Sequence, residues 1–171
     1  MDLAARIRKI PDFPKPGILF YDISTLLIDP KAWRETIDRM AEAARAFAPR
    51  CLAAIESRGF LLAAPLALEL GIGFVMVRKL GKLPGTVVSH SYDLEYGSDT
   101  LQLADGLVAP GSRVLVVDDL IATGGTARAT VELLEKVGAE VVGGLFLIEL
   151  LGLGGRTQLG VPSTALLQFP A

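Results

Sequence analysis

The sequence predicts a single α/β domain built on a parallel sheet with helices on both faces. Short segments that are predominantly apolar occur at residues 51–55, 74–77, 113–117 and 140–148. Helical spacing of apolar residues separates them, at residues 59–70 and about 125–137. Strands that are apolar on both sides are typical of parallel sheets covered on both faces, and 171 residues can bury such a core.

The N-terminal region differs from this pattern. Residues 11–30 are rich in proline and aromatic side chains, which predicts an irregular segment lying over another part of the fold. Asp29 and Pro30 then resemble an N-cap and the first residue of a helix. Apolar residues follow at helical spacing from Trp33 to Phe47, and Pro49 ends the predicted helix.

Residues 79–106 also interrupt the alternation of strands and helices. They contain Gly81, Gly85 and Gly97 and alternate only weakly, which predicts a loop or hairpin outside the core. No internal repeat or linker divides the chain. We therefore expect one domain spanning residues 1–171.

Composition excludes several classes of protein. With 51% apolar and 21% charged residues the chain is globular, and a net charge of −2 gives no support to a nucleic-acid partner. The single cysteine, Cys51, excludes an internal disulfide and a cysteine-based zinc site, and its apolar neighbours predict a core residue. The single histidine, His90, excludes a histidine-rich metal site, and we expect it at the surface.

No apolar run approaches the roughly 18 residues of a membrane span. The charged start of the chain, with Asp2, Arg6, Arg8 and Lys9, does not resemble a signal peptide. We expect a cytoplasmic protein without a membrane partner.

The most informative segment runs from Val114 to Thr126. A buried strand is predicted to end in two carboxylates, Asp118 and Asp119, followed by a turn of small residues that opens a helix. In open α/β sheets ligands bind at the carboxyl ends of strands, and backbone N–H groups at a helix start bind phosphate. The P-loop pattern with its lysine is absent, and adjacent carboxylates suit a vicinal diol. The segment therefore predicts a site for a ribose 5-phosphate, and a P-loop kinase is disfavoured.

This segment resembles the motif by which type I phosphoribosyltransferases bind phosphoribosyl pyrophosphate (PRPP), and it matches residue by residue. The resemblance implies that Asp118 and Asp119 bind the ribose hydroxyls. It implies that the following loop holds the 5-phosphate through Ala122, Thr123, Gly124, Gly125 and Thr126.

Further fragments, in the same order along nearly the whole chain, narrow the resemblance to adenine phosphoribosyltransferases. They are Pro11-Asp12-Phe13-Pro14, Pro16-Gly17, Phe20, Asp22-Ile23-Ser24, Ser57-Arg58-Gly59-Phe60, Arg78-Lys79, Gly81-Lys82-Leu83-Pro84-Gly85 and Leu94-Glu95-Tyr96-Gly97. The resemblance implies an α/β type I phosphoribosyltransferase fold, with a hood made of residues 1–30 and C-terminal residues. It also implies a mobile lid at about residues 78–106, a homodimer, and synthesis of AMP and pyrophosphate from adenine and PRPP.

The resemblance assigns the ends of the substrates to different side chains. Residues 56–59 resemble the family's pyrophosphate loop, which often contains a cis non-proline peptide. The negative pyrophosphate needs cations and donors, and Ser57, Arg58, Lys79 and Lys82 are the candidates. Mg²⁺ would arrive on PRPP, with no direct protein ligand.

The base is assigned to the hood and the proton to the lid. Phe20 is implied to stack on adenine, while backbone groups of Leu19 and Tyr21 read its polar edge and Leu150 packs on the opposite face. Glu95 is implied to be the catalytic carboxylate that takes or holds the proton of the attacking purine nitrogen. Closure of the lid would exclude water.

Two positions depart from the family pattern, and two other functions stay open. Tyr21 stands where some relatives have arginine, and Glu56 is longer than the usual aspartate. One alternative is a hypoxanthine, xanthine or guanine enzyme. The other is a PRPP-sensing regulator without catalysis, although such proteins typically add a DNA-binding module for which 171 residues leave no room.

Overall fold

The computed structural model describes residues 1–171 and centres on a seven-stranded sheet of order β5-β6-β4-β3-β7-β8-β9. Strands β4, β3, β7, β8 and β9 run parallel, whereas β5 and β6 form an antiparallel hairpin on the β4 edge. The strands are β3 (Cys51–Ile55), β4 (Gly73–Lys79), β5 (Val87–Asp93), β6 (Ser98–Ala104), β7 (Arg113–Ile121), β8 (Glu140–Leu151) and β9 (Ser163–Pro170).

Helices cover both faces of the sheet, as the apolar strands predicted. The helices are α1 (Ser24–Leu27), α2 (Pro30–Arg45), α3 (Arg58–Leu70), α4 (Gly125–Lys136) and α5 (Gly155–Leu159), and a 3₁₀ turn spans Ala4–Arg6. Strand β3 shows how the two faces separate: Leu52 and Ala54 belong to the core under α2 and α3. Ala53 and Ile55 belong to the core under α4. This alternation follows from the period of two along a strand.

The N-terminal region forms its own small antiparallel sheet, β1 (Arg8–Pro11) and β2 (Leu19–Asp22). Helix α2 begins as predicted, because the Asp29 carboxylate accepts hydrogen bonds from the backbone N–H groups of Lys31 (3.0 Å) and Ala32 (3.2 Å).

The hairpin predicted within residues 79–106 is present as β5 and β6. The prediction that it lies outside the core was wrong. Leu101 and Leu103 on β6 are fully buried and belong to the core under α4. Their partners explain this, because Leu101 and Leu103 pair with Lys79 and Val77 of the central sheet. Weak alternation hid the buried face of β6 in the sequence.

Strands β7 and β8 are longer than the apolar segments that predicted them. Strand β7 continues beyond residue 117 to Ile121, because β8 continues to pair with it at Leu120 and Ile121. Strand β8 extends to Leu151, three residues beyond the predicted end, and β9 pairs along it. β9 carries no strong sequence pattern, and it was not predicted.

No helix is both long and apolar enough to cross a membrane.

Candidate active site

The phosphate-binding turn predicted after β7 lies at the carboxyl edge of the sheet. Gly124 has φ +88°, a conformation that glycine adopts without steric cost, and α4 begins at Gly125. A Cβ atom at Gly124 would lie 2.5 Å from the carbonyl oxygen of Gly155, and one at Gly155 would lie 2.3 Å from that of Ala122. The turn is thus fixed by backbone-to-backbone packing against the start of α5.

The two aspartates lie on β7, just beyond the point where β3 stops pairing at Val117. The backbone N–H of Asp119 donates to Asp118 Oδ1 at 2.8 Å. Burial raises the pKa of Asp118 well above its ordinary value, and the adjacent negative charge of Asp119 raises it further. The carboxylate of Asp119 accepts from Arg58 Nε at 2.5 Å.

A close approach of backbone brings the loop after β3 to these aspartates. Gly59 lies in the first turn of α3, and a Cβ there would be 2.9 Å from the Val117 carbonyl oxygen and 3.1 Å from Asp118 Oδ1. The Glu56–Ser57 peptide is cis. Helices α3 and α4 therefore both begin beside the aspartates, and helix N-termini favour anions.

The carboxylate of Glu56 contacts basic residues of the site. Its carboxylate lies 3.5 Å from Arg78 Nη2 and 3.4 Å from Lys82 Nζ, and it accepts a hydrogen bond from the Lys79 backbone N–H. Burial alone would raise the pKa of Glu56, but the Lys79 N–H, Lys82 and Arg78 together lower it. The longer acid at this position therefore stays charged and organises three basic residues.

A second acid holds Lys79 itself. Lys79 Nζ pairs with Asp99 Oδ2 of β6, and the Tyr92 hydroxyl lies 3.5 Å from the same oxygen. The Tyr92 hydroxyl also lies 3.2 Å from Thr126 Oγ1 at the phosphate turn. Burial opposes the charge of Lys79, but Asp99 and Tyr92 raise its pKa. A polar chain thus connects the hairpin to the turn.

One pocket of about 240 Å³ is lined by seven of the sixteen predicted site residues. Its lining combines the whole turn with Asp118, Glu56 and Lys79. Asp119 and Arg58 adjoin it through their ion pair, and Ser57 is exposed at the start of α3. Lys82 reaches it through Glu56. The geometry can hold a phosphate, a diol and a second anionic group side by side.

Glu95 is not brought to this pocket. It lies exposed in the turn between β5 and β6, where the Leu94 N–H donates to the Gly97 carbonyl oxygen at 2.9 Å. It does not line the pocket around Asp118. Tyr96, its neighbour in the turn, is 88% exposed.

The hood residues lie on the other side of Arg58. The Arg58 guanidinium is 5.7 Å from the centre of the Phe20 ring, and Phe13 contacts Phe20 edge to face at 5.1 Å. Leu19 is exposed, Tyr21 is buried, and Leu150 is partly buried near the end of β8. Aromatic, cationic and acidic groups thus follow one another from Phe20 to Asp119.

Sequence reasoning missed four positions that shape the site. Gly59 and Gly155 matter because no side chain fits there, and Tyr92 and Asp99 matter because they connect Lys79 to Thr126. A lone glycine or aspartate carries no signal of such contacts, since its partners come from distant strands. Gly59 stood within a recognised fragment, but its steric role was not apparent.

Neither His90 nor the acidic residues form a metal site. No group of three or more His, Cys, Asp or Glu side chains is arranged to hold a metal ion. The expectation of a surface His90 was incomplete: its side chain is 26% exposed, and Nε2 lies 2.7 Å from Glu132 Oε2 of α4. His90 therefore attaches β5 to α4.

Comparison with known proteins decides the family. Residues 23–151 match the phosphoribosyl transferase domain family. The chain is 62% identical to the adenine phosphoribosyltransferase of Gluconacetobacter diazotrophicus, covering 99% of this chain and 96% of that protein. The chain belongs to the adenine phosphoribosyltransferase family.

Solved structures of adenine phosphoribosyltransferases share the fold, which confirms the predicted α/β type I architecture. The protein from Thermoanaerobacter pseudethanolicus superposes with a TM-score of 0.95 at 47% identity, covering 98% of each chain. The Trypanosoma brucei protein, solved with AMP, pyrophosphate and ribose-5-phosphate, gives a TM-score of 0.88 at 26% identity. That match covers 97% of this chain and 77% of the trypanosomal one.

Proposed function

We propose that this protein transfers the ribose 5-phosphate of PRPP to adenine, yielding AMP and pyrophosphate. The observation that carries the proposal is the pocket that joins Asp118 of a buried strand to a glycine-containing phosphate turn and to Lys79. It is supported by the family's trypanosomal member, which was solved with both products and ribose-5-phosphate. This is a glycosyl-transfer reaction of purine salvage.

The ribose 5-phosphate would occupy the pocket in a fixed orientation. The N–H groups and hydroxyls of residues 122–126 would donate to the 5-phosphate, at the positive end of α4. The carboxylates of Asp118 and Asp119 would accept from the ribose hydroxyls. Because the transition state places positive charge on the ribose ring, these carboxylates would also stabilise it.

The pyrophosphate would take over cations that are paired with carboxylates in the structure. Arg58 pairs with Asp119, Lys79 with Asp99 and Lys82 with Glu56. A multiply charged leaving group can recruit all three, together with the hydroxyl of Ser57 and the start of α3. Mg²⁺ would be held by oxygens of PRPP rather than by protein side chains, and when bound it would neutralise charge on the leaving group.

The base would lie between the hood and the end of β8. Phe20 and Leu150 would pack on its two faces, and backbone groups of Leu19 and Tyr21 would bind its polar edge. The purine nitrogen forms a bond to C1′ of the ribose as the bond from C1′ to the pyrophosphate oxygen breaks. Glu95 would accept the proton that the nitrogen loses.

Glu95 can perform this role only if the hairpin turn moves over the pocket. The tip of the proposed lid, which spans about residues 78–106, would then exclude water from the electrophilic ribosyl centre. Glu95 lies exposed at the tip of this hairpin, so a movement of the tip alone would carry it. The proposed domain organisation is one catalytic unit of residues 1–171 with this lid and the N-terminal hood.

The deciding experiment measures pyrophosphate release from PRPP and Mg²⁺ with adenine, hypoxanthine, xanthine, guanine, uracil or orotate offered singly. Turnover with adenine alone is the expected result. Turnover with another purine would keep the chemistry and reject the base assignment. Absence of turnover with every base, despite PRPP binding, would favour a PRPP-sensing protein.

We also propose that the protein acts as a homodimer in the cytoplasm. Exposed apolar side chains on α3 (Leu61 and Leu68) and β4 (Phe74 and Met76) offer a surface for a second copy. Sedimentation analysis of the wild-type chain tests this, with Leu68→Glu expected to favour the monomer. A wild-type monomer at micromolar concentration would contradict it.

A further inference from the structure

A stacked aromatic pair joins the hood to the last strand of the sheet. The rings of Tyr21 and Phe169 lie nearly parallel, with centres 4.5 Å apart and 17° between their planes. The Tyr21 hydroxyl donates a hydrogen bond to the Pro170 carbonyl oxygen at 2.7 Å. Both rings are buried, at 5% and 7% exposure. Both the ring and the hydroxyl of Tyr21 are thus held by residues of β9.

Strand alternation relates this contact to Phe20. Successive side chains of a strand point to opposite faces, so a fixed Tyr21 ring directs Phe20 to the other face of β2. On that face Phe20 meets the Arg58 guanidinium, whose ion pair reaches Asp119. The packing of Tyr21 therefore orients Phe20 toward the ribose-binding acids.

The same contact reaches the opposite wall of the proposed base site. Phe169 is the register partner of Leu150, and Pro170 is the partner of Leu151. A continuous path therefore leads from Phe20 along β2 to Tyr21, across the stack to Phe169, and across the sheet to Leu150. Two ion pairs of the hood run to other places: Arg8 to Asp22 inside it, and Arg6 to Asp29 before α2. Lys9 also meets β9, because its Nζ lies 5.7 Å from the centre of the Phe169 ring.

We propose that Tyr21 is a positioning residue that sets the separation and orientation of Phe20 and Leu150, and so determines how well the base fits. The inference rests on the proposed function, because it takes those two residues as the walls of the base site. It also explains how the chain carries tyrosine where some relatives have arginine: the side chain fastens the hood, and only the backbone is left to meet the base.

Steady-state kinetics of Tyr21→Leu and Phe169→Leu test the proposal. Each should raise the KM for adenine about tenfold, the scale of losing one aromatic pair, while the KM for PRPP stays within about twofold. The double variant should resemble either single variant, because both remove the same contact. Tyr21→Phe keeps the stack and loses only the hydrogen bond, so its rise should be smaller, about threefold.

Phe47→Leu is the matched control. Phe47 is partly buried and packs near Gly143, toward the start of β8 and away from the site. It should lower the melting temperature without changing the KM for adenine. Equal rises in both KM values for Tyr21→Leu, or additive effects in the double variant, would overturn the inference.

The two proposals fail in different ways. If the wild-type chain does not use adenine, the proposed function is wrong and this inference falls with it. If the wild type uses adenine and both Tyr21→Leu and Tyr21→Phe keep its KM, the inference alone is wrong.

Discussion

The phosphate turn and the hairpin turn are two parts of one proposed site that are built in opposite ways. The phosphate turn is enclosed by backbone: Gly124 and Gly155 leave no room for a side chain between them. The turn that carries Glu95 lies exposed beyond the ends of β5 and β6, bonded only within itself. The proposed phosphate site is already formed in the turn, whereas Glu95 lies outside the pocket and would reach it only if the hairpin turn moved.

The difference between the two turns predicts that one affects the affinity for PRPP and the other affects the turnover rate. A preformed turn stabilises ligand and transition state alike, which contributes to binding. A residue that arrives only on closure acts in the chemical step. Substitutions in the two regions should therefore change different kinetic parameters.

The largest effect should follow from removing both acids of the preformed region. Asp118→Asn combined with Asp119→Asn should weaken PRPP binding about a thousandfold, because two charge-assisted hydrogen bonds to the ribose are lost. Calorimetric titration with PRPP and Mg²⁺ measures this. Asp105→Asn removes an exposed carboxylate and is the control. Unchanged binding would reject the ribose assignment.

The next effect concerns the hairpin turn that carries Glu95. Glu95→Gln should lower kcat about a hundredfold, because the amide cannot accept the proton, while PRPP affinity stays within about twofold. Single-turnover kinetics with calorimetry separate the two quantities. Asp93→Asn, on the same hairpin, serves as the control. A parallel loss of kcat and PRPP affinity would indicate that Glu95 is structural, and the contrast between the regions would fail.

A smaller effect should come from disturbing the backbone contact of the phosphate turn. In Gly155→Ala the new Cβ would lie 2.3 Å from the Ala122 carbonyl oxygen, so the turn must shift. We expect PRPP affinity to fall about tenfold and stability to fall by about 1–3 kcal/mol. Gly73→Ala, which has open space, is the control. Normal affinity with normal stability would show that the turn adapts.

The smallest effect concerns stability and pH. The raised pKa of Asp118 means that the folded chain binds this proton more tightly than the unfolded chain. Its contribution to stability is therefore fully present below about pH 4 and is lost as the pH rises through the folded pKa. Asp118→Asn removes this loss.

Melting curves across pH measure that difference. The variant should melt about 2–4 °C above the wild type at pH 8, and the gain should vanish near pH 4. Its PRPP affinity should fall at the same time. A gain that is equal at both pH values would assign the effect to packing instead of charge.

Much of this architecture could be predicted from local pattern. Buried strands such as β3, the N-cap at Asp29 and the turn after β7 depend on neighbouring residues, so the sequence indicates them directly. The resemblance supplied the residues assigned to the base, the pyrophosphate and the proton, because spacing alone does not identify a base or a proton acceptor. The contacts made by Gly155, Asp99 and Tyr21 depend on residues brought from distant strands, and no local pattern reports them.

The buried leucines of β6 determine how the hairpin can move. Leu101 and Leu103 fasten one end of β6 into the core, whereas residues 94–97 lie beyond the other end. Amide hydrogens near Leu103 should therefore exchange on the timescale of global unfolding, and those near the tip in ordinary local fluctuations. We therefore expect closure of the proposed lid to involve only the tip at residues 94–97, because the other end of β6 is held in the core.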